Sequence, residues 1–107
     1  MNATVAAPDE RLEPVALLAD PLRRRIITLL ADEQLCTCHL VDATGATQPT
    51  VSYHLKALRE AGWVRSEAVG RYTYYELDPE GLRVLAEALG DVARRASEAG
   101  RRRLPCD

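Results

Sequence analysis

Cys36 and Cys38 stand one residue apart in "LCTCHL" (residues 35–40), in a chain whose only other cysteine is Cys106. Thiolates are nucleophiles and soft ligands, so a close pair suits a thiophilic ion or a reversible disulfide. A thiol oxidoreductase or a metal chaperone is a further chemistry for such a pair, but no βαβ pattern flanks it. A second set of chemical groups lies in "TQPTVSYHLKALREAG" (47–62). Gln48, Thr50, Ser52, Tyr53 and Lys56 carry hydrogen-bonding groups suited to base edges and phosphates. Arg71, beside Gly70, offers a guanidinium that suits phosphate or a minor groove. His54 falls about 60° from the centre of the same segment's apolar face, where a structural role and a phosphate contact are both open to it. No Ser-His-Asp set, phosphate loop or paired catalytic carboxylates can be assembled at sensible spacing, so no enzymatic activity is expected.

The elements that must position these groups follow from local signals. "DPLRRRIITLLADE" (20–33) opens with Asp20 as cap and Pro21 as first helical residue, and an apolar helical pattern also runs through "EPVALLA" (13–19). "CTCHLVDATG" (36–45) predicts a short helix closed by Gly45. The next helix starts at Thr47, turns Val51, Leu55 and Leu58 inward, and ends at Gly62. Two helices about a tight turn make a helix-turn-helix. "VRSEAVGRYTYYEL" (64–77) predicts a hairpin about Gly70-Arg71, pairing Arg65 with Glu76, Glu67 with Tyr74, Val64 with Leu77 and Ala68 with Thr73. Asp78 and Pro79 open a last helix, on which Leu82, Leu85, Leu89, Val92 and Ala96 form a narrow seam for a partner helix.

At 107 residues, 47% hydrophobic and without Phe, the chain predicts one small domain with a core of Leu, Val, Ile and Ala. Such a core is marginal alone, so a homodimer is expected. No apolar run is long enough to span a membrane or serve as a signal h-region, which predicts a cytoplasmic protein with reduced thiols and no membrane partner. The net charge of -2 argues mildly against nucleic acid, but Arg23–Arg25 and Arg101–Arg103 concentrate positive charge, either on a solvated surface or against a polyanion. The expected organisation is a flexible N-terminal arm (1–11), a winged helix-turn-helix domain with dimerisation helices (12–99), and a flexible basic tail (100–107) carrying Cys106. The fold class is mainly α with a β-hairpin wing.

"LADPLRRRI", "TQPTVSYHLKALREAGWV" and "VGRYTYYEL" together resemble the ArsR/SmtB family of metalloregulatory winged-helix repressors, over about residues 12–98. The resemblance implies a homodimer, joined through its first and last helices, that represses transcription from double-stranded operator DNA and is released by an inducer. Gln48, Thr50, Ser52, Tyr53, His54, Lys56 and Arg71 are the DNA-binding candidates, with no cofactor required for DNA binding. "LCTCHL" is similar to the Cys-X-Cys motif of the arsenite and antimonite sensors, which overlaps that of cadmium and lead sensors. The implied inducer is As(III) or Sb(III), with Cd(II) or Pb(II), or a thiol–disulfide switch, as alternatives. The third cysteine of the arsenite type is replaced here by Val41, and residues 1–35 lack the arm cysteines of the cadmium and lead type. The last helix has no His, which sets aside the zinc and nickel site found there in other members. Arsenite favours three thiolates, so Cys36, Cys38 and Cys106 form the expected ligand set. Residues i and i+2 of a helix point about 200° apart, so ion binding is expected to unwind the turn at Cys36.

Overall fold

The computed structural model describes residues 9–100 and 102–106. Most of the expected N-terminal arm, residues 1–8, lies outside the described residues, as do Arg101 and Asp107. A 3₁₀ helix (Glu10–Leu18) leads to α1 (Pro21–Leu30), a short strand β1 (Leu35–Cys36), α2 (Thr37–Thr44) and α3 (Gln48–Glu60). The hairpin β2 (Val64–Val69) and β3 (Tyr72–Leu77) and the long helix α4 (Pro79–Ala99) complete a winged helix-turn-helix.

Helices α1, α3 and α4 each start where a side chain satisfies free N–H groups. The Asp20 carboxylate accepts from the N–H of Leu22 (2.8 Å) and of Arg23 (3.1 Å), with Pro21 in the first position where no donor is lost. Asp78 caps α4 by accepting from the N–H of Glu80 at 3.0 Å. The Thr47 hydroxyl caps α3. Gly45, at φ 73°, takes the left-handed conformation that closes α2 and frees the chain for the turn into α3.

The hairpin adopts the predicted register: Val64 opposite Leu77, Arg65 opposite Glu76, Glu67 opposite Tyr74 and Ala68 opposite Thr73. Gly70 has φ 60° and Arg71 a negative φ, as a type II′ turn requires. Arg65 locks the base of the wing, reaching Glu76 at 3.2 Å and Asp78 at 3.0 Å. One strand is additional. Leu35 and Cys36 pair with Tyr75 and Tyr74, giving an antiparallel sheet of order β1-β3-β2. Cys36 is therefore a strand residue and the cap of α2, not part of a helix beginning at 36.

The core is built from Ile26 and Leu30 of α1, Leu40 of α2, Val51, Leu55 and Leu58 of α3, and Leu85 of α4. Each such side chain contributes about 1.5–3 kcal/mol by leaving water. Trp63, among the largest fully buried side chains, joins this aliphatic core, and a Cβ at Gly81 would overlap its indole. On α4, Leu85 and Ala88 are buried, whereas Leu89 (49% exposed) and Val92 (39%) face outward, as does Val15 (46%) of the 3₁₀ helix. Residues 9–11, expected to end the arm, belong to the folded domain instead. Arg11 bridges Asp9 (2.8 Å) and Asp91 (2.9 Å), tying the 3₁₀ helix to α4. Its guanidinium holds both carboxyls below the usual carboxylate range.

Candidate thiol site and nucleic-acid interface

The extended backbone at Cys36 (φ -86°, ψ 168°) decides the geometry of the thiol pair. With Cys36 outside α2 and Cys38 in its first turn, the opposed directions expected of two helical residues do not arise. The two sulfurs are in direct contact and paired as a disulfide, with their Cα atoms 5.4 Å apart. Cys36 is buried (4% exposed) and Cys38 is exposed. No unwinding of α2 is needed to bring the sulfurs together, which corrects the expected geometry of the pair.

His39 completes the cluster. Its Nδ1 accepts the backbone N–H of Cys36 at 3.1 Å and lies 3.3 Å from the Cys36 sulfur. Its ring meets Tyr74 edge-on, with centroids 6.1 Å apart. Among the described residues, Cys36, Cys38 and His39 are the group whose ligand atoms all lie within 4.8 Å of one another. Cys106 is not in that group. It is exposed on the tail that follows α4, an unbroken helix of 21 residues and thus about 30 Å long. Within one protomer Cys106 is not gathered with Cys36 and Cys38, and His39 is the third potential ligand beside them.

The thiol pair opens on a cleft of about 510 Å³ between α2, α3 and the wing. Gln48 and Ser52 of α3 line it, together with Arg71, Tyr72 and Tyr75 of the hairpin. Three of the seven DNA-binding candidates, Gln48, Ser52 and Arg71, thus share one cleft with Cys36 and Cys38. Thr50, Tyr53 and Lys56 are exposed elsewhere along α3. The Thr50 hydroxyl accepts from Thr47 at 3.0 Å. Tyr72, Thr73 and Tyr75 were not singled out by sequence, although the period-2 alternation of β3 puts 71, 73 and 75 on one face.

His54 is a correction. It is 5% exposed, its Nδ1 accepts from Arg23 Nε at 3.1 Å, and its Nε2 lies 3.8 Å from the Asp20 carboxylate. A side chain so enclosed joins α3 to α1 and does not meet phosphate. The N–H of Arg23, then that of Leu22, holds the Asp20 carboxyl below the usual carboxylate range. The rest of the first arginine triplet is also turned to its own chain. Arg24 donates to the carbonyls of Leu18 (2.6 Å) and Ala19 (3.2 Å), and Arg25 to that of Ala43 (3.0 Å). These guanidiniums tie elements together, while Arg24 and Arg25 stay exposed.

Residues 20–66 match the model of the family described as bacterial regulatory protein, arsR family. The chain is 35% identical over 83 residues to the arsenical resistance operon repressor of Bacillus subtilis, covering 76% of this chain and 79% of that protein. It is 45% identical over 64 residues to the arsenic resistance transcriptional regulator ArsR1 of Pseudomonas putida, covering 59% of this chain. That match spans half the length of the Pseudomonas protein. Among solved structures, the homodimeric winged helix-turn-helix DNA-binding domain from Mycobacterium bovis superimposes with a TM-score of 0.61 at 28% identity, covering 94% of this chain and all (100%) of that one.

Proposed function

This chain belongs to the ArsR family of bacterial regulatory proteins, and we propose that it is a homodimeric transcriptional repressor released from operator DNA when As(III) or Sb(III) binds Cys36 and Cys38. The observation that carries this reading is the shared cleft: the thiol pair lies beside Gln48, Ser52 and Arg71. α3 presents its polar N-terminal side to the major groove while Arg71, on the tip of the wing, reaches adjacent phosphates. An occupant of the cleft stands between these two DNA-facing elements. Release then follows from occupancy of the reading surface and needs no unwinding of α2.

The donor set supports a soft, thiophilic inducer. Two sulfurs stand together at the start of α2, where unpaired N–H groups favour negative charge. His39 is the adjacent nitrogen donor, at the cost of its hydrogen bond from Cys36. Cys106 is dispensable in this reading. Dimerisation is supported by the outward face of α4: Leu89 and Val92 continue the predicted seam into solvent, and Val15 of the 3₁₀ helix is exposed as well. A second copy covering this face places the two α3 helices on successive turns of DNA.

The test is operator release, followed by fluorescence anisotropy on a duplex selected from a random pool and titrated with arsenite, antimonite, cadmium and lead under reducing conditions. Arsenite and antimonite release the wild type and Cys106→Ser alike, while Cys36→Ser and Cys38→Ser require at least roughly tenfold more ligand. Equal response of the Cys36→Ser and wild-type proteins would refute the reading. A second reading has its own observation. The sulfur contact and the 5.4 Å Cα separation suit a disulfide, which would make the pair an oxidation switch. Release by peroxide that a reductant reverses, without any response to arsenite, would favour that reading.

A further inference from the structure

Among the described residues, His54 is the one polar side chain that the core encloses. Both of its ring nitrogens face the first turn of α1. Nδ1 accepts from Arg23 Nε at 3.1 Å, and Nε2 lies 3.8 Å from Oδ1 of Asp20. That same oxygen accepts the N–H groups of Leu22 and Arg23 that open α1. The orientation of the imidazole is thereby set by α1, although α3 carries it. The ring in turn meets its chain neighbour. Tyr53 lies edge-on to His54, with centroids 5.2 Å apart and planes at 70°, a geometry that aromatic pairs favour. Consecutive helical residues point about 100° apart and do not ordinarily face each other. The contact is therefore a choice of rotamer and not a consequence of the helix. Tyr53 is 65% exposed, on the side of α3 away from Val51, Leu55 and Leu58.

We infer that His54 is a positioning residue for DNA reading: held by Arg23 and Asp20, its ring keeps the Tyr53 phenol in the orientation that meets a base edge in the major groove. The inference rests on the reading of α3 as the helix that enters that groove. A phenol both donates and accepts a hydrogen bond, and Tyr53 stands in the first half of α3, the part of such a helix that touches bases. Ordering a side chain at the moment of binding costs affinity. A phenol already propped against a fixed imidazole avoids that cost, and it does so in one orientation only, which sharpens the choice of base. α1 thereby sets the aim of a residue that belongs to α3.

The experiment is a double-mutant cycle on the reduced full chain, without metalloid, reading the ratio of affinities for a selected duplex and for an unrelated duplex of equal length. Tyr53→Ala is expected to lower that ratio by at least roughly fivefold, the low end of what one base contact discriminates. His54→Asn offers Arg23 a carbonyl oxygen in place of Nδ1 and removes the ring that Tyr53 meets. Its ratio is expected to fall to a similar degree, and the double variant to fall no further than about twofold below either single one. A purely structural His54 would lower affinity for both duplexes alike, whatever stands at 53. An unchanged ratio in either single variant, or losses that add in the double one, overturns the inference. Where His54→Asn does not fold, nuclear Overhauser contacts between the two rings in the wild-type complex decide: their persistence on the selected duplex, with the Tyr53→Ala loss, supports the inference, and their disappearance overturns it. A wild type that binds both duplexes equally overturns the DNA reading itself, and the inference with it.

Discussion

Helix α3 borders two unlike spaces. On one side Val51, Leu55 and Leu58 press with Ile26 and Leu30 into a dry seam, and His54 is sealed into the same side by Arg23. On the other side Gln48 and Ser52 face an open cleft shared with the thiols and the wing. A histidine stands near each, His54 sealed in the core and His39 beside the thiols, and the Nδ1 of each accepts one hydrogen bond, from a side chain at His54 and from the backbone at His39. The difference lies in the surroundings. The core side holds α3 against the rest of the domain, whereas the cleft leaves an amide, a hydroxyl and a guanidinium open beside the paired sulfurs. Position on the helix, and not residue type, separates scaffold from reader.

Substitutions that cross this division should separate stability from binding. Leu55→Ala in the seam is expected to cost about 2–5 kcal/mol in urea unfolding, whereas Ser52→Ala in the cleft stays within about 0.5 kcal/mol while weakening operator binding. Comparable losses of stability would erase the distinction. The two histidines sharpen it. His54→Ala strands the Arg23 guanidinium and is expected to cost about 1–3 kcal/mol. His39→Ala removes only a cap contact at the start of α2, about 0.5–1 kcal/mol. The reverse order, read from denaturant midpoints, would mean that His54 is not a structural group.

The smallest effect concerns acid. Asp9, Asp20 and Asp91 are held below the usual carboxylate range in the folded chain, the first and last by Arg11 and Asp20 by the Arg23 N–H. A depressed folded value stabilises the protein above the ordinary carboxylate pKa, and that contribution disappears as pH falls through the folded value. Melting temperature should therefore drop from about pH 4 downwards. Asp91→Asn should lower it at neutral pH, and the difference should shrink as pH falls through the lowered folded value. A difference that persists in acid would show that the Arg11 bridge is not its source.

Much of the scaffold is legible in sequence because its signals are local. Asp20-Pro21 and Asp78-Pro79 each carry a cap and a first-turn proline in adjacent residues. The Gly70-Arg71 turn fixes a register in which charges and apolar residues pair correctly along the whole hairpin. The inward set Val51, Leu55 and Leu58 follows from helical periodicity. What escapes is whatever depends on distant partners. β1 is two residues long and exists only because β3 offers it an edge. That strand moves Cys36 out of the helix and reverses the expected splay of the thiols. The bond that buries His54 comes from a residue 31 positions earlier in the chain. Trp63 can be buried only because Gly81 has no side chain, a complementarity that neither segment announces. The cleft itself is assembled from three separate stretches, none of which is concave alone.

One consequence of β1 concerns leverage. Cys36 is stitched by backbone pairing to Tyr74, three residues along the chain from Arg71 and so about 10 Å from the tip of the wing. A sulfur drawn toward a ligand pulls on the thread to which it is sewn. That thread is only two residues long, and it forms one border of the wing. The thiol pair and the tip of the wing are thus joined through main-chain ladder bonds, indifferent to the side chains along the way.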